Sequence, residues 1–235
     1  MTIRRTLSLS ALVTATTLVL VGCAAGSAFP AGSPSETGGT QVLDVSAGWL
    51  DGGRAVAVVT HGSSSCVPSA SEVSVHADGS VAVTLVDPTG EAVCTADLAP
   101  RASLVSLPNG VDAAAKLSLT VSLGTARGQV TLEPYAGPAV AEYAPSAGWI
   151  DGNALAILTW GSSSCALRVQ SAVSTGTDVA VTFVDPPADR ACTMDMAPRI
   201  ALAVVDGGGA ASGATATLSG GDAQFATPVT IPIAG

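Results

Sequence analysis

Aromatic residues are scarce in this chain of 235 residues, which has only three tryptophans, two tyrosines and three phenylalanines. So few rings argue against a surface on which sugars stack. The hydrophobic residues, 48% of the chain, are mostly alanine and valine. Such a chain can fill a core, but with small and β-branched side chains rather than with large rings.

Basic residues are also few, since 9 lysines and arginines stand against 18 aspartates and glutamates, for a net charge of −9. Two of the nine, Arg4 and Arg5, lie in a segment that we expect to be removed, which leaves seven basic residues and a net charge of −11. This balance argues against nucleic acid as a partner and against electrostatic docking on anionic lipid. It is typical of a soluble surface, and capture of cations or basic partners is the alternative.

A sustained helical period is absent from the chain after Cys23. Short segments rich in valine, threonine and serine instead alternate with glycine, proline and aspartate, a pattern typical of strands joined by turns. We therefore predict an all-β protein.

The N-terminus resembles an export signal. Arg4 and Arg5 precede an uncharged apolar run over residues 7–21, which ends at Gly22 and Cys23. A basic start, about 15 apolar residues and small residues at the end are typical of a secretory signal peptide, and the run is short for a bilayer span. We predict a signal peptide over residues 1–22. The arginine pair also resembles part of a twin-arginine signal, but without its usual flanking residues, so general secretion is favoured.

The four residues Leu-Val-Gly-Cys at 20–23 resemble the lipobox of bacterial lipoproteins. In that family the cysteine thiolate accepts a diacylglyceryl group and becomes the new N-terminus after cleavage. The resemblance implies that Cys23 anchors the protein to the extracytoplasmic face of the cell membrane, because two acyl chains give durable binding. Cleavage near Ala25 or Ala28, with release of the protein, is the first alternative, and an uncleaved anchor is the second.

Glycine, serine, alanine, proline and threonine dominate residues 24–41. A segment of this composition cannot bury enough apolar surface to offset its ordering entropy. We predict that residues 23–41 form a lipidated, flexible tether with a reach of roughly 25 Å, which keeps the folded part near the membrane.

The remainder of the chain repeats itself. Segment 46–66, from SAGW to GSSSC, aligns with 146–165, and segment 81–101, which ends in CTADLAPR, aligns with 179–199. Self-similarity over nearly the whole mature length indicates two copies of one unit, each about 90 residues long.

The proposed boundaries follow from this alignment. We assign repeat 1 to residues 42–135 and repeat 2 to 146–235, with a linker at 136–145 that contains a Gly-Pro turn. The GSSSC and CTxDxAPR patterns resemble small extracellular domains of uncharacterised lipoproteins from Gram-positive, GC-rich bacteria. No activity follows from that resemblance.

Each repeat has short, evenly spaced strand signals. Asp78-Gly79 predicts a two-residue hairpin turn, and residues 116–123 alternate apolar and polar side chains as a half-buried strand does. Seven strands in each repeat favour two tandem immunoglobulin-like β-sandwiches, although a small closed sheet would give a similar pattern. In repeat 1 we predict strands near 54–60, 72–77, 81–87, 93–98, 102–107, 116–123 and 129–133.

Four cysteines occur as one pair in each repeat, Cys66 with Cys94 and Cys165 with Cys192. The matching spacing favours a disulfide within each repeat over the other two pairings. In an exported protein this is the usual fate of such a pair, and closing each loop stabilises its domain by about 3.5 kcal/mol. Cys23 is then the remaining cysteine, as lipidation requires.

The GSSSC segment predicts a structural corner, in which a strand ends, the serine hydroxyls satisfy free backbone groups and the cysteine fastens the turn to the strand bearing Cys94. Catalysis by Ser64 with His61 is the sharper alternative. The second copy argues against it, because Trp160 replaces the histidine beside Ser163. The closing glycine of the nucleophile elbow is also missing.

Metal binding is another alternative, in which the protein handles copper or calcium. Candidate copper ligands are His61, His76, the thiols, and Met194 with Met196, whose spacing places two thioethers on one face of a strand. Asp51 and Asp151 could contact calcium, but each precedes a glycine and no calcium-loop pattern surrounds them, so a turn role is favoured. We predict no cofactor.

Two charged pairs recur at matching positions, Asp97 with Arg101 and Asp195 with Arg199. We expect each pair to form an internal ion pair, or each arginine to cap carbonyl groups at a strand end. Trp49 and Trp149 are expected to pack in the two cores near the disulfides. A ligand-binding face, if present, is expected at the position where the repeats diverge, with His61 and Ser64 in one copy and Trp160 and Ser163 in the other.

These observations favour a non-enzymatic, membrane-anchored lipoprotein that binds or scaffolds an envelope protein or a small molecule. An envelope enzyme or accessory subunit is the first alternative, and a metal-handling surface protein is the second.

Overall fold

The computed structural model describes residues 41–90, 93–209 and 211–235. These residues form strands and two short 3₁₀ turns, Asp51–Gly53 and Ala223–Phe225, which confirms the all-β prediction. The predicted signal peptide, Cys23 and most of the tether lie outside the described residues. Within the described part, the structure has no helix long and apolar enough to cross a membrane.

Repeat 1 and the residues just before it contain eight strands. Their bounds are β1 Gln41–Val42, β2 Ser46–Leu50, β3 Ala55–Gly62, β4 Ser69–Val75, β5 Val81–Val86, β6 Ala99–Ser106, β7 Leu117–Leu123 and β8 Ala126–Leu132.

Repeat 2 contains seven strands that match β2–β8 in order. They are β9 Ser146–Trp149, β10 Ala154–Gly161, β11 Val169–Thr175, β12 Asp178–Phe183, β13 Ala197–Val204, β14 Thr215–Gly220 and β15 Val229–Ala234.

Six of the seven strands predicted for repeat 1 correspond to observed strands, and the predicted strand at 93–98 is wrong. Residues 93–98 form an exposed loop, whose polar groups bind side chains of the GSSSC corner instead of a neighbouring strand. Strand β2 was not predicted, because its central Gly48 weakens the strand signal.

The turn between β4 and β5 also differs from the prediction. It spans five residues, closed by hydrogen bonds from the His76 N–H to the Ser80 carbonyl (2.8 Å) and from the Gly79 N–H to the His76 carbonyl (2.9 Å). Gly79 has a φ of 82°, whereas Asp78 is not among the residues with positive φ. A two-residue type I′ turn needs positive φ at both positions, so the turn is of the longer kind, with glycine in the left-handed position.

The sheet topology contradicts the immunoglobulin-like prediction. Repeat 1 has one sheet in the order β1-β8-β7-β5-β4 and another in the order β2-β3-β6, whereas repeat 2 has one continuous sheet in the order β11-β12-β14-β15-β9-β10-β13. The pairs β5–β7 and β12–β14 are parallel, because the chain crosses to β6 or β13 before it returns. Immunoglobulin-like sandwiches consist of antiparallel sheets. The structure instead favours a repetitive β-architecture in which successive units pack on one another.

Each repeat has its own core of alternating strand residues. In β7, the buried side chains are Leu117, Leu119 and Val121, as the sequence pattern predicts. The core of repeat 2 also contains Phe183 and Phe225, whose ring centroids lie 5.6 Å apart. Phe183 takes the place of Leu85 in repeat 1, whereas Phe225 comes from a connection between strands that is longer in repeat 2.

The two tryptophans are buried, as predicted, but they lie far from the disulfides. Trp49 and Trp149 are 5% and 7% exposed. Trp49 pairs with Val56 near the start of β3, and its indole N–H donates to the Glu133 carbonyl (2.7 Å). The GSSSC corner begins at the other end of β3, about 20 Å away at the usual rise of a strand.

The repeats share a third apolar cluster. It joins side chains of β2, β3 and β6 to the residue that follows β9 and to β10, and its buried members are Leu50, Ala55, Ala57, Val59, Ala102, Ile150, Ala156 and Leu158. Ala234 at the end of repeat 2 also packs into the core of repeat 1.

Two glycines allow the closest approach between the repeats. A Cβ atom on Gly48 would overlap the Trp149 carbonyl oxygen, and one on Gly148 would overlap the Trp49 carbonyl oxygen. Glycine in a strand interior often marks such a backbone contact. The described residues of both repeats accordingly belong to one compact unit.

Candidate functional site

Each GSSSC segment forms a corner between a strand end and a disulfide-linked loop. In repeat 1 the Ser64 N–H donates to the Asp97 carboxylate (3.0 Å), and the Thr95 N–H donates to the Ser65 hydroxyl (3.0 Å). Thr95 also donates its hydroxyl proton to Asp97, and Ser63 lies 2.8 Å from the Thr95 hydroxyl. These contacts satisfy backbone groups as the corner prediction requires.

Repeat 2 forms the same contacts. The Ser163 N–H donates to Asp195 (3.0 Å), and the Thr193 N–H donates to the Ser164 hydroxyl (3.0 Å). Thr193 donates its hydroxyl proton to Asp195. The network therefore belongs to the shared unit and does not by itself distinguish a function for one copy.

Both predicted disulfides are present. Cys66 is bonded to Cys94, with Cα atoms 5.4 Å apart, and Cys165 is bonded to Cys192, with Cα atoms 5.6 Å apart. The second cysteine of each disulfide, Cys94 or Cys192, lies on an exposed loop. The prediction that Cys94 lies on a strand is therefore wrong. Each bridge therefore fixes a loop to the buried corner cysteine.

The hydrogen bonds at the corners change the acidity of their aspartates. Donation from Ser64, together with the Thr95 hydroxyl, holds the pKa of Asp97 far below its ordinary value of 3.8. Thr193 and Ser163 lower the pKa of Asp195 in the same way. A carboxylate that accepts several hydrogen bonds is stabilised in its charged form.

The expected ion pairs of Asp97 with Arg101 and of Asp195 with Arg199 are replaced by other contacts. Both arginines are buried, and each caps the carbonyl of its corner cysteine. Arg101 donates to the Cys66 carbonyl (2.5 Å), and Arg199 donates to the Cys165 carbonyl (3.2 Å). The carboxylates of Asp97 and Asp195 accept hydrogen bonds from the corner serine N–H groups instead of pairing with the arginines. The alternative prediction, that each arginine caps carbonyl groups, is therefore the correct one.

The acidic partners of these arginines come from different segments in the two repeats. Arg101 lies 3.4 Å from Asp87, whereas Arg199 lies 2.9 Å from Asp222. Asp185, the counterpart of Asp87, instead accepts the Gly221 N–H (2.8 Å). The different acidic partner of the buried arginine shows that the structure beside the corner of repeat 2 differs from that in repeat 1.

A glycine makes room for each buried guanidinium. A Cβ atom on Gly62 would lie 2.6 Å from Cζ of Arg101, and one on Gly161 would lie 2.7 Å from Cζ of Arg199. The first residue of each GSSSC segment must therefore be glycine, because a larger residue would clash with the arginine of the CTxDxAPR segment.

Repeat 2 differs from repeat 1 in the connection between its last two strands. Only Gly124 and Thr125 separate β7 from β8, whereas residues 221–228 separate β14 from β15. Gly220, the last residue of β14, and Gly221, the first of the connection, have φ of 73° and 72°. Asp222 caps the short turn Ala223–Phe225 by accepting the Gln224 N–H. Phe225 fastens the connection to the core.

The longer connection forms one wall of a cavity of ≈ 460 Å³ beside the Cys165–Cys192 disulfide. Its apolar lining includes Trp160, Leu167, Val184, Pro186, Pro187 and Met196. Its charged lining consists of Arg168, Arg190, Arg199, Asp185 and Asp222. A cavity of this size, apolar with a few polar groups, is typical of a small-molecule site.

Burial and hydrogen bonding act in opposite directions on Asp222. Burial raises its pKa, but hydrogen bonds from Arg199 and Gln224 lower it, and the net pKa is lowered. The Asp222 carboxylate therefore remains ionised and keeps Arg199 paired beneath the cavity.

The residues predicted for a binding face do not form one surface. Trp160 lines the cavity, and its ring lies edge-on to Tyr143, with centroids 5.2 Å apart. Ser163 and Ser64 are engaged in their own corners, and Ser64 faces a separate cavity. His61, the counterpart of Trp160, lies 3.7 Å from Asp44.

The metal candidates are similarly dispersed. Met194 and Met196 are exposed (104% and 61%) on a loop rather than on a strand. Asp51 pairs with Arg54 (2.6 Å), and Asp151 accepts the N–H groups of Asn153 and Ala154 in a turn. Across residues 41–90, 93–209 and 211–235, no three His, Cys, Asp or Glu side chains group closely enough to hold a metal ion.

Sequence reasoning missed Arg168, Arg190, Asp222 and Gln224 as cavity residues. The available signal was the difference in length between the two repeats just before their last strand, where repeat 2 has six additional residues. Comparison with known proteins gives no further guidance: no protein-family model, curated protein or solved structure matches this chain.

Proposed function

We propose that this protein is a lipid-anchored, extracytoplasmic binding protein that holds a small molecule in the cavity of repeat 2. The observation that carries the proposal is the cavity of ≈ 460 Å³ between the Cys165–Cys192 corner and the 221–228 connection. Repeat 1 keeps the same corner but has only a two-residue turn at the equivalent place. The cavity thus accompanies a connection that repeat 1 lacks.

The contacts of the serines support binding rather than catalysis. Ser63 and Ser162 lie 2.8 Å from threonine hydroxyls, and the backbone N–H groups of Ser64 and Ser163 are held by aspartates. Activation of a serine nucleophile requires an adjacent base. The ionised carboxylates of Asp97 and Asp195 are occupied by corner hydrogen bonds, which favours a structural role for them.

The location proposal rests on the lipobox-like residues 20–23 and is compatible with two disulfides, which persist in oxidising compartments. Expression of the full chain and of a Cys23→Ser variant tests it, with mass spectrometry of the N-terminal peptide and membrane fractionation as readouts. We expect a diacylglyceryl adduct and membrane retention for the natural sequence only. An unmodified Cys23 would contradict the anchor.

The binding proposal is tested by filling the cavity. Ala223 is exposed at the cavity wall, whereas the exposed Ala226 follows in the same connection without lining it. A panel of envelope metabolites is screened by thermal shift against the full chain, an Ala223→Trp variant and the matched control Ala226→Trp. We expect compounds that stabilise the natural sequence and the control but not Ala223→Trp. If no compound shows this dependence, the binding role is wrong.

A further inference from the structure

Positive charge is concentrated at the cavity of repeat 2. The chain has only nine lysines and arginines and a net charge of −9, yet Arg168, Arg190 and Arg199 all line this one cavity. Asp185 and Asp222 also line it, so one positive charge is in excess there. Local charge opposite to that of the whole molecule attracts a ligand of negative charge.

The three arginines of the cavity differ in how many of their N–H donors already have acceptors within the protein. Arg199 is paired with Asp222 and donates to the carbonyls of Cys165 and Trp160. Arg190 donates one N–H to the Ser164 carbonyl (2.7 Å), and Arg168, an exposed residue, has no side-chain partner within the described part of the chain. Arg168 and Arg190 therefore retain free donors for a ligand.

A buried donor on the apolar wall supports the same ligand chemistry. The indole Nε1–H of Trp160 is buried and has no acceptor among the described residues. The Nε groups of Arg101 and Arg199 and the indole Nε1–H of Trp149 are also buried and unpartnered, but of these three residues only Arg199 lines the cavity. Guanidinium and indole N–H groups donate and never accept, so the ligand must supply acceptors.

The apolar wall adds a second requirement. Pro186, Pro187 and Met196 line the cavity together with the ring of Trp160, and Leu167 forms part of its buried side. A fully polar anion, such as inorganic phosphate, would leave this surface without an apolar partner. A ligand that combines acceptors with an apolar body satisfies both parts of the lining.

We infer that the repeat 2 cavity binds a small organic carboxylate with an apolar body. The carboxylate lies against Arg168 and Arg190, and the apolar body packs on Trp160 and Met196. This inference rests on the proposed binding function and specifies its ligand class. Arginine suits the role, because its planar guanidinium matches a carboxylate in a bidentate contact.

Phenylbutyrate is the test probe, with the uncharged phenylbutanol and the cationic phenylbutylamine as matched compounds. Calorimetric titration uses the full, anchored chain in nanodiscs, and empty nanodiscs correct for partition into lipid. We expect phenylbutyrate to bind at least ten-fold more tightly than either matched compound. Loss of one charge-assisted hydrogen bond in Arg168→Gln should weaken phenylbutyrate binding about ten-fold.

Arg127→Gln is the matched control, because Arg127 is exposed on β8 and does not line the cavity. Arg127→Gln should leave the affinity for phenylbutyrate unchanged. Trp160→Ala should weaken the binding of all three compounds. Equal binding of phenylbutanol, preference for phenylbutylamine, or an unchanged affinity in an Arg168→Gln, Arg190→Gln double variant would overturn the anion assignment.

The two proposals can fail separately. If phenylbutyrate does not bind but a metabolite screened above depends on Ala223, the cavity binds another class of ligand and only the carboxylate inference is wrong. If neither binds, both proposals are wrong.

Discussion

Single residues at the two corners act through hydrogen bonds to the backbone. Asp97 and Asp195 each hold the N–H of a corner serine, and a threonine hydroxyl donates to the same carboxylate. Arg101 and Arg199 satisfy the carbonyls of the corner cysteines from the buried side. An aspartate and an arginine thus hold each corner from opposite sides without pairing with each other.

The aspartates predict a loss of stability in acid. Their folded-state pKa is below the ordinary value of 3.8, so their contribution is present above about pH 4 and is lost as pH falls toward the folded-state pKa. Denaturant midpoints measured against pH should fall over this range for the natural sequence. An Asp97→Asn, Asp195→Asn double variant should start from a lower midpoint and change less.

Asp189→Asn is the control, because Asp189 is exposed and outside the corners. It should reproduce the acid profile of the natural sequence. A double variant with an undiminished acid dependence would contradict the role of the two corner carboxylates.

Gly62 predicts a second residue-scale effect. An alanine there would place Cβ 2.6 Å from Cζ of the buried Arg101, so the guanidinium must shift and weaken its bond to the Cys66 carbonyl. We expect Gly62→Ala to lower the free energy of unfolding by about 2 kcal/mol, as loss of a charged hydrogen bond does. Gly152→Ala, where nothing lies within 4 Å, should be nearly neutral in the same denaturation experiment. Equal stability of the two variants would contradict this account.

Individual strands were predictable where one face is buried and the other is exposed. The alternation in β7 and β5 follows directly from this burial. Valine, threonine and leucine in residues 93–98 predict a strand, but their side chains are exposed and the backbone of this loop binds the serines. Strand β2 is not predicted because it contains Gly48, which weakens the strand signal. This glycine is needed for a close contact with the backbone of the other repeat, about 100 residues away in the chain.

The disulfide-linked loops predict a further loss of stability. Each bridge closes a loop of 28 or 27 residues, and removal should lower the free energy of unfolding by about 3.5 kcal/mol through the entropy of the unfolded chain. Chemical denaturation of Cys66→Ala, Cys94→Ala and of Cys165→Ala, Cys192→Ala measures this effect. The second double variant should also lose ligand binding, since both of its cysteines line the cavity. The first should keep it, and loss of binding in both would contradict a site confined to repeat 2.

The whole molecule depends on the apolar cluster between its repeats. Composition and periodicity identified two copies of a unit, but not this contact, because the uninterrupted apolar runs of β3 and β10 do not show which part of the chain covers their second face. All residues from Val56 to Val59 are buried, and so are those from Leu155 to Leu158. Such uninterrupted burial is the pattern of strands covered on both faces.

This interface predicts cooperative unfolding of the two repeats. Differential scanning calorimetry of the natural sequence should show one transition. Gly48→Ala places a Cβ atom against the Trp149 carbonyl and should separate the repeats, giving two transitions or one at a clearly lower temperature. Gly152→Ala again serves as the control and should retain the single transition. An unchanged transition in Gly48→Ala would show that the repeats unfold independently of this contact.

The reciprocal contacts of Gly48 and Gly148 have a consequence for the history of the chain. Each glycine meets the backbone of the tryptophan that follows the other, which is the isologous arrangement of a two-fold symmetric homodimer. This arrangement is the one expected if the tandem chain arose by fusion of two copies of a subunit that bound its own copy through the same face. Once two copies are joined in one chain they no longer need identical sequences, so one copy can acquire a longer connection and a cavity that the other lacks.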